Sequence, residues 1–164
     1  MSEEQLVNTF TALRKRLLRM ASRLLPHDEE AEDALQDAFL KISSKFSDEK
    51  SVEVRDWRNY IFRVLSNLCS SRLTALGKLR TIPLDARLDI ADLPTENDES
   101  DYQRIAKLLV EIPEEQAEVI RLPIYGNNSF ADVAEILSLP LPTVKSRFLY
   151  GLEKIRKAMK QTNH

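Results

Sequence analysis

Three groups of side chains have types and spacings suited to recognition chemistry. Near the C-terminus, Thr143, Lys145, Ser146, Arg147 and Tyr150 fall within about two turns of a strongly patterned segment. Its other side carries Val144, Phe148, Leu152, Ile155 and Met159 at core spacing. Cations and hydroxyls at the start of a helix supply the donors that base edges and phosphates accept. In the first half of the chain, Arg55, Arg58, Asn59, Arg63, Ser66, Asn67, Ser70 and Arg72 share one polar face. Cations interleaved with amides and hydroxyls, close to Trp57 and Tyr60, suit single-stranded nucleic acid. Trp57 is spaced with Ile61 and Val64 and is expected in the core, which leaves Arg55, Arg58 and Arg63 as the contact residues. Earlier still, Glu29, Glu32, Asp33, Gln36 and Asp37 make an acidic and amide face that could meet a basic partner surface. Taken singly, each pattern also suits a solvated helix face.

Catalysis is not indicated. His27 and His164 are far apart in the chain, so no histidine-based metal cluster is suggested, and neither a phosphate-binding glycine loop nor a nucleophile elbow is present. No cofactor or metal is expected. The single cysteine, Cys69, cannot form an internal disulfide and sits in an apolar helical pattern, where packing is the simpler role. The acidic start Met1-Ser2-Glu3-Glu4 precedes no apolar run, and no segment is apolar for long enough to span a bilayer. A cytoplasmic protein without membrane insertion is expected.

The net charge of −2 conceals a pattern. Acidic residues dominate 81–112, whereas 137–164 set Lys145, Arg147, Lys154, Arg156, Lys157 and Lys160 against Glu153 alone. An acidic connector between mildly basic ends fits a protein that touches nucleic acid at separate places.

The elements that must position these groups are helices. Only 3 glycines occur in 164 residues, and hydrophobic residues make up 43%. The first helix runs from about Glu3 to Leu25, with Leu6, Phe10, Leu13, Leu17, Met20 and Leu24 inward, and stops at Pro26. The second starts at Asp28 as N-cap and buries Ala31, Ala34, Leu35, Ala38, Phe39, Ile42 and Phe46. The third spans about Glu53 to Leu76 and buries Trp57, Ile61, Val64, Leu65 and Leu68. Periodicity then fails to about Glu99, through Pro83, Pro94 and a series of acids, which predicts a flexible, self-repelling linker. Helical pattern returns at 101–111, and Pro113 fits the first position of a further helix that Pro123 ends or kinks. Ser129-Phe130-Ala131-Asp132 reads as a capping box opening a short helix to Leu137, followed by a tight turn and a final helix from Pro142 to about Lys160. That pattern is a helix-turn-helix, with Lys145, Ser146, Leu149, Tyr150 and Lys157 outward and Arg147 and Lys154 at the edge; it also suits a solvated hairpin. The fold class is all-α: two small helical domains joined by a flexible acidic linker, the C-terminal one containing the helix-turn-helix. The boundaries are 1–80, 81–100 and 101–164. Weak packing is expected between the domains, since few apolar residues remain for a large interface.

The order of these pieces resembles bacterial RNA polymerase sigma factors of the extracytoplasmic-function (ECF) group over nearly the whole chain. The stretch Ala31–Leu40 looks like that family's polymerase-binding helix, and Trp57–Leu68 like its promoter-melting helix. Ile112–Gln116, Phe130–Leu137 and Thr143–Arg147 resemble its C-terminal domain. The resemblance implies a transcription initiation factor, not an enzyme, that binds core RNA polymerase and directs it to promoter DNA. Asp33, Gln36 and Asp37 would meet the polymerase; Arg55, Arg58, Arg63 and Asn67 would take the unwound −10 element; Thr143, Lys145, Ser146, Arg147 and Tyr150 would read the −35 element. An anti-sigma factor is a further expected partner. Some positions depart from the family: Ser71 stands where an aspartate is usual, the basic tail after Thr74 is thin, Tyr150 replaces an arginine, Pro142 replaces a glycine, and Pro123 interrupts a usually continuous helix. Fewer cations weaken salt-dependent DNA affinity. A sigma-like decoy that binds an anti-sigma factor without reading DNA is therefore the alternative. A dimeric helix-turn-helix repressor would need a spare dimerisation helix, and none is left over.

Overall fold

The structure, a computed structural model, describes residues 2–47, 56–79 and 99–161. These residues form seven helices and no strand: α1 (Glu3–Leu24), α2 (Asp28–Ser47), α3 (Trp57–Leu79), α4 (Glu99–Leu109), α5 (Glu114–Ile124), α6 (Phe130–Leu137) and α7 (Leu141–Gln161). Arg55 and nearly all of the expected 81–100 connector lie outside the described residues.

The N-terminal bundle closes because three long amphipathic stripes face one another. Leu6, Leu13, Leu17, Met20 and Leu24 of α1 meet Ala31, Ala34, Ala38 and Ile42 of α2 and Ile61, Leu65 and Cys69 of α3, all buried. The alanines of α2 allow its close approach. Phe10 and Phe39 add an edge-to-face pair with ring centroids 5.0 Å apart, and Trp57 bridges Phe46 and Tyr60 at 5.4 and 5.6 Å. Trp57 is half-buried against the core and not free to stack on a ligand.

Several helix starts differ from expectation. α1 opens with a capping box in which Ser2 Oγ accepts from Gln5 N at 3.2 Å and Ser2 N donates to Gln5 Oε1 at 2.8 Å. Asp28 is not the cap of α2 but lies within its first turn, because His27 O already accepts from Ala31 N at 3.2 Å. α3 is described from Trp57, where Asp56 Oδ1 accepts from Arg58 N at 2.9 Å; Glu53, the expected start, lies outside the described residues. Pro113 is the N-cap of α5 and Glu114 its first helical residue; the helix runs through Pro123 to Ile124.

The expectation of weak packing between the domains does not hold. The buried residues of both halves join in one cluster. Tyr102 of α4 lies under the guanidinium of Arg23 at 4.3 Å, and Gln103 Nε2 donates to Leu25 O at 3.1 Å. Arg16 of α1 clasps the turn between α5 and α6: Nε donates to Gly126 O at 3.2 Å, and Nη2 to Asn127 O at 2.8 Å and Asn128 Oδ1 at 3.0 Å. Counting spare apolar residues misses such an interface because long cations and hydroxyls build much of it.

Candidate nucleic-acid interface

The helix-turn-helix forms as its sequence specifies. Ser129 Oγ accepts from Asp132 N at 3.0 Å and Ser129 N donates to Asp132 Oδ2 at 3.3 Å, which fixes the start of α6. The turn after Leu137 passes through Ser138 in the left-handed region, φ 54° and ψ 47°. Val133 and Ile136 of α6 and Val144, Leu152 and Ile155 of α7 are buried, and Phe130 meets Phe148 edge to face at 5.0 Å. α7 is seated on α5 at Gly151, where a Cβ would stand 2.6 Å from Ile120 Cδ1. A side chain at that position would fit only if Ile120 shifted.

With its inner face fixed, the outer face of α7 is set. Lys145, Ser146 and Tyr150 are exposed, and Thr143 and Arg147 lie at the edge. Leu149 and Tyr150 are the most exposed large hydrophobics of α7, at 66% and 65%. The five residues singled out in the sequence thus stand together on one solvent-facing surface. Lys154 and Lys157 continue the basic character toward the C-terminus, while Glu153 pairs with Arg156 at 3.9 Å.

The second candidate face, on α3, is only partly open. Arg58, Arg63 and Asn67 are exposed. Ser66 and Ser70, expected to share that face, are instead buried beneath α5. Ser66 Oγ accepts from Arg121 Nε at 3.2 Å, and Ser70 Oγ donates to Glu114 Oε2 at 3.2 Å. Arg121, only 1% exposed, also pairs with the other oxygen of Glu114. Glu118 is half-buried, and its carboxyl is pushed up by burial and held back by Arg63, with Glu114 raising it and Arg121 and Arg147 lowering it further. Beneath this surface, Cys69 is buried and its thiol is pushed up to about 12, so it packs and does not react.

The acidic face of α2 is exposed throughout: Glu29, Glu32, Asp33, Gln36 and Asp37 all reach solvent. Asp37 is paired with Arg72 of α3, and Glu32 with Arg14 of α1 at 3.3 Å. Among the described residues Asp33 pairs with no cation. Beside this face, Val7, Phe10, Leu35, Phe39 and Leu40 line an apolar groove between α1 and α2, with Leu40 65% exposed. The groove had no signal in the pattern, since Leu40 lies off the apolar stripe of its helix. The Arg121–Glu114 tie was also missed. Its only trace is that Ala117, Val119, Ile120 and Leu122 surround α5 with apolar positions, the mark of a helix covered on several sides.

Among the described residues no cluster of three or more His, Cys, Asp or Glu side chains could hold a metal ion, and no helix is long and apolar enough to cross a membrane.

Comparison with known proteins agrees with this organisation. Residues 9–78, covering nearly all of α1 to α3, match Sigma-70 region 2, and residues 108–157, from the end of α4 into α7, match Sigma-70 region 4. The chain is 32% identical over 136 residues to the ECF RNA polymerase sigma factor SigM of Mycobacterium tuberculosis, an alignment covering 80% of this chain and 64% of that protein. It is 26% identical over 163 residues to the ECF RNA polymerase sigma factor SigW of Bacillus subtilis, covering 88% and 83%. The sigma factor RpoE, solved in complex with the anti-sigma factor NepR from Bartonella quintana, aligns with a TM-score of 0.48 and 24% identity over 96% of each chain. The chain belongs to the sigma-70 family, within its ECF group. It spans less than two thirds of the length of the mycobacterial relative.

Proposed function

We propose that this protein is a transcription initiation factor that binds core RNA polymerase and directs it to promoters through −10 and −35 elements. The observation that carries this reading is the coexistence, on one chain, of an exposed acidic face on α2 and an exposed basic face on α7, each within a matched sigma region. Asp33, Gln36 and Asp37 are the polymerase-facing residues of this reading. Arg58, Arg63 and Asn67 meet the unwound −10 element, together with Arg55. Lys145, Ser146, Arg147, Thr143 and Tyr150 meet the −35 element. The domains run over 1–80 and 101–164, with 81–100 as the connector, a division supported by the ranges of the two family matches. The chain carries out no catalytic step of its own in this role, works in the cytoplasm, and is restrained by an anti-sigma factor.

The test is capture of core polymerase by the full chain. Asp33→Arg with Asp37→Arg replaces attraction by repulsion at a complementary interface; the second change also gives up the tie from Asp37 to Arg72 of α3, so helical content is measured beside capture. Loss of capture with unchanged helical content is the expected outcome. Undiminished capture by the folded double variant rules out this surface.

A further inference from the structure

The outer side of α7 carries an apolar residue that the assigned DNA contacts leave unused. Among the described residues the exposed large hydrophobics are Val7, Leu40, Leu141, Leu149 and Tyr150, and the last three lie on α7. One exposed leucine needs no explanation by itself. Leu149 is distinguished by its position. With Val144, Leu152 and Ile155 buried, the opposite side of α7 is centred near Ser146, and Leu149 and Tyr150 follow one turn later to either side of it. Lys145, Lys154 and Lys157 are exposed around this side, and Arg147 lies at its edge. Leu149 is thus a 66%-exposed apolar side chain inside a cationic, hydroxyl-bearing surface. Residues 141–152 hold no carboxylate. Glu153, one turn after Leu149, pairs with Arg156 at 3.9 Å.

Such a surface fits one feature of duplex DNA. Phosphates accept from the cations but offer nothing to a leucine. On the base edges of the major groove, thymine presents a methyl group at C5 beside an acceptor, O4, whereas cytosine presents an amino donor. Ser146 and Leu149 are three residues apart and therefore neighbours on the helix surface, a hydroxyl donor beside an apolar side chain. We propose that Leu149 is a specificity-determining residue that packs on a thymine C5 methyl in the major groove, with the Ser146 hydroxyl donating to a thymine O4. The proposal rests on the assignment of α7 as the reader of the −35 element. It adds an apolar contact to a set otherwise made of cations and hydroxyls, so the chain separates thymine from cytosine by shape as well as by hydrogen bonding.

The experiment recovers duplexes from a randomised library with core polymerase plus the full chain, and with core polymerase alone. Each thymine of a duplex that only the full chain selects is then replaced by deoxyuridine, which removes the methyl and keeps O4. Fluorescence anisotropy reads the affinity of the polymerase complex formed with the parent chain, with Leu149→Ala and with Ser146→Ala. Leu149 is mostly exposed, so its truncation leaves the core intact. At one of these thymines deoxyuridine should weaken the parent complex about fourfold, the worth of one buried methyl group. Leu149→Ala should bind the thymine duplex as weakly as the parent binds the deoxyuridine duplex, and should be indifferent to the exchange. Ser146→Ala should still distinguish the two. The proposal is overturned if no exchange weakens the parent complex, or if every such loss is undiminished in Leu149→Ala. It is also overturned if Leu149→Ala lowers capture of core polymerase and leaves the thymine preference unchanged, which would make Leu149 a protein contact. In each of these outcomes the chain still selects duplexes, and the assignment of α7 to the −35 element stands. A chain that selects no duplex beyond those of core polymerase alone overturns both.

Discussion

The two helices assigned to DNA present their polar faces differently. On α7 the core side is held by Val144, Leu152 and Ile155, and the outward Lys145, Ser146 and Tyr150 meet only solvent. On α3 the corresponding side is shared between solvent, at Arg58, Arg63 and Asn67, and α5, at Ser66 and Ser70. Both helices carry cations mixed with hydroxyls, so residue type alone does not separate them. The difference comes from what each helix packs against. It teaches that the same residue types make an open polar face on one helix and a partly covered one on another, according to what each helix packs against.

Measurement in the free chain separates the two faces. Lys145→Ala with Arg147→Ala should remove a base contact and a phosphate contact. The base contact is worth about 1–3 kcal/mol, and losing the phosphate contact flattens the salt dependence by about one unit of slope. Arg58→Ala with Arg63→Ala should change duplex binding less than about twofold in the free chain and matter only in the complex with polymerase. Salt titrations by fluorescence anisotropy would show it; equal losses from both pairs would erase the distinction. Complete indifference to Arg147→Ala, with no promoter preference at low salt, would favour a decoy that does not read DNA.

A smaller effect tests the seat of α7. Gly151→Val drives a side chain into Ile120 and should lower stability by about 1–3 kcal/mol in denaturant unfolding, as overpacking does. Full stability would mean that α7 is not held against α5, and that its open face is not fixed by packing.

Tyr150→Arg restores a cation on the open face. It should tighten binding to all duplexes and steepen the salt slope by about one unit, with little change in preference among sequences. A gain confined to promoter DNA would show that Tyr150 reads bases and not phosphate.

The smallest expected effect lies under α5. Burial raises the carboxyl of Glu118, so the folded chain holds its proton more tightly than the unfolded chain does. Stability from this group is present below the unfolded value and is lost as pH rises through the folded one. Glu118→Gln should therefore raise the thermal midpoint near neutral pH and leave it almost unchanged in acid. A midpoint that falls at neutral pH would mean that the pull of Arg63, Arg121 and Arg147 outweighs burial.

Much of this architecture is legible in the sequence because it is written in local chemistry. The Ser129–Asp132 capping box, the inward stripes of α1 and α7 and the outward set at Lys145, Ser146 and Tyr150 all follow from helical spacing. Asp28 misleads, since an aspartate suits both the cap and the first turn, and only the bond from Ala31 N to His27 O distinguishes them. The contact between domains is not legible. Arg16, Arg121 and Glu114 look like ordinary surface charges along their helices, and Ser66 like part of an open polar face. Their partners in the other domain are 44 to 112 residues away, as in the bonds from Ser70 to Glu114, from Arg121 to Ser66 and from Arg16 to Asn128.

In the proposed role, this chain gives core polymerase a promoter. Run-off transcription measures it directly, with purified core enzyme, duplex DNA from upstream of the chain's own gene, and either the wild-type chain or the Asp33→Arg, Asp37→Arg variant. Specific transcripts that start only when the wild-type chain is added, and vanish with the variant, are the predicted result. Polymerase that is captured by the chain yet starts no specific transcript on any upstream fragment would contradict it.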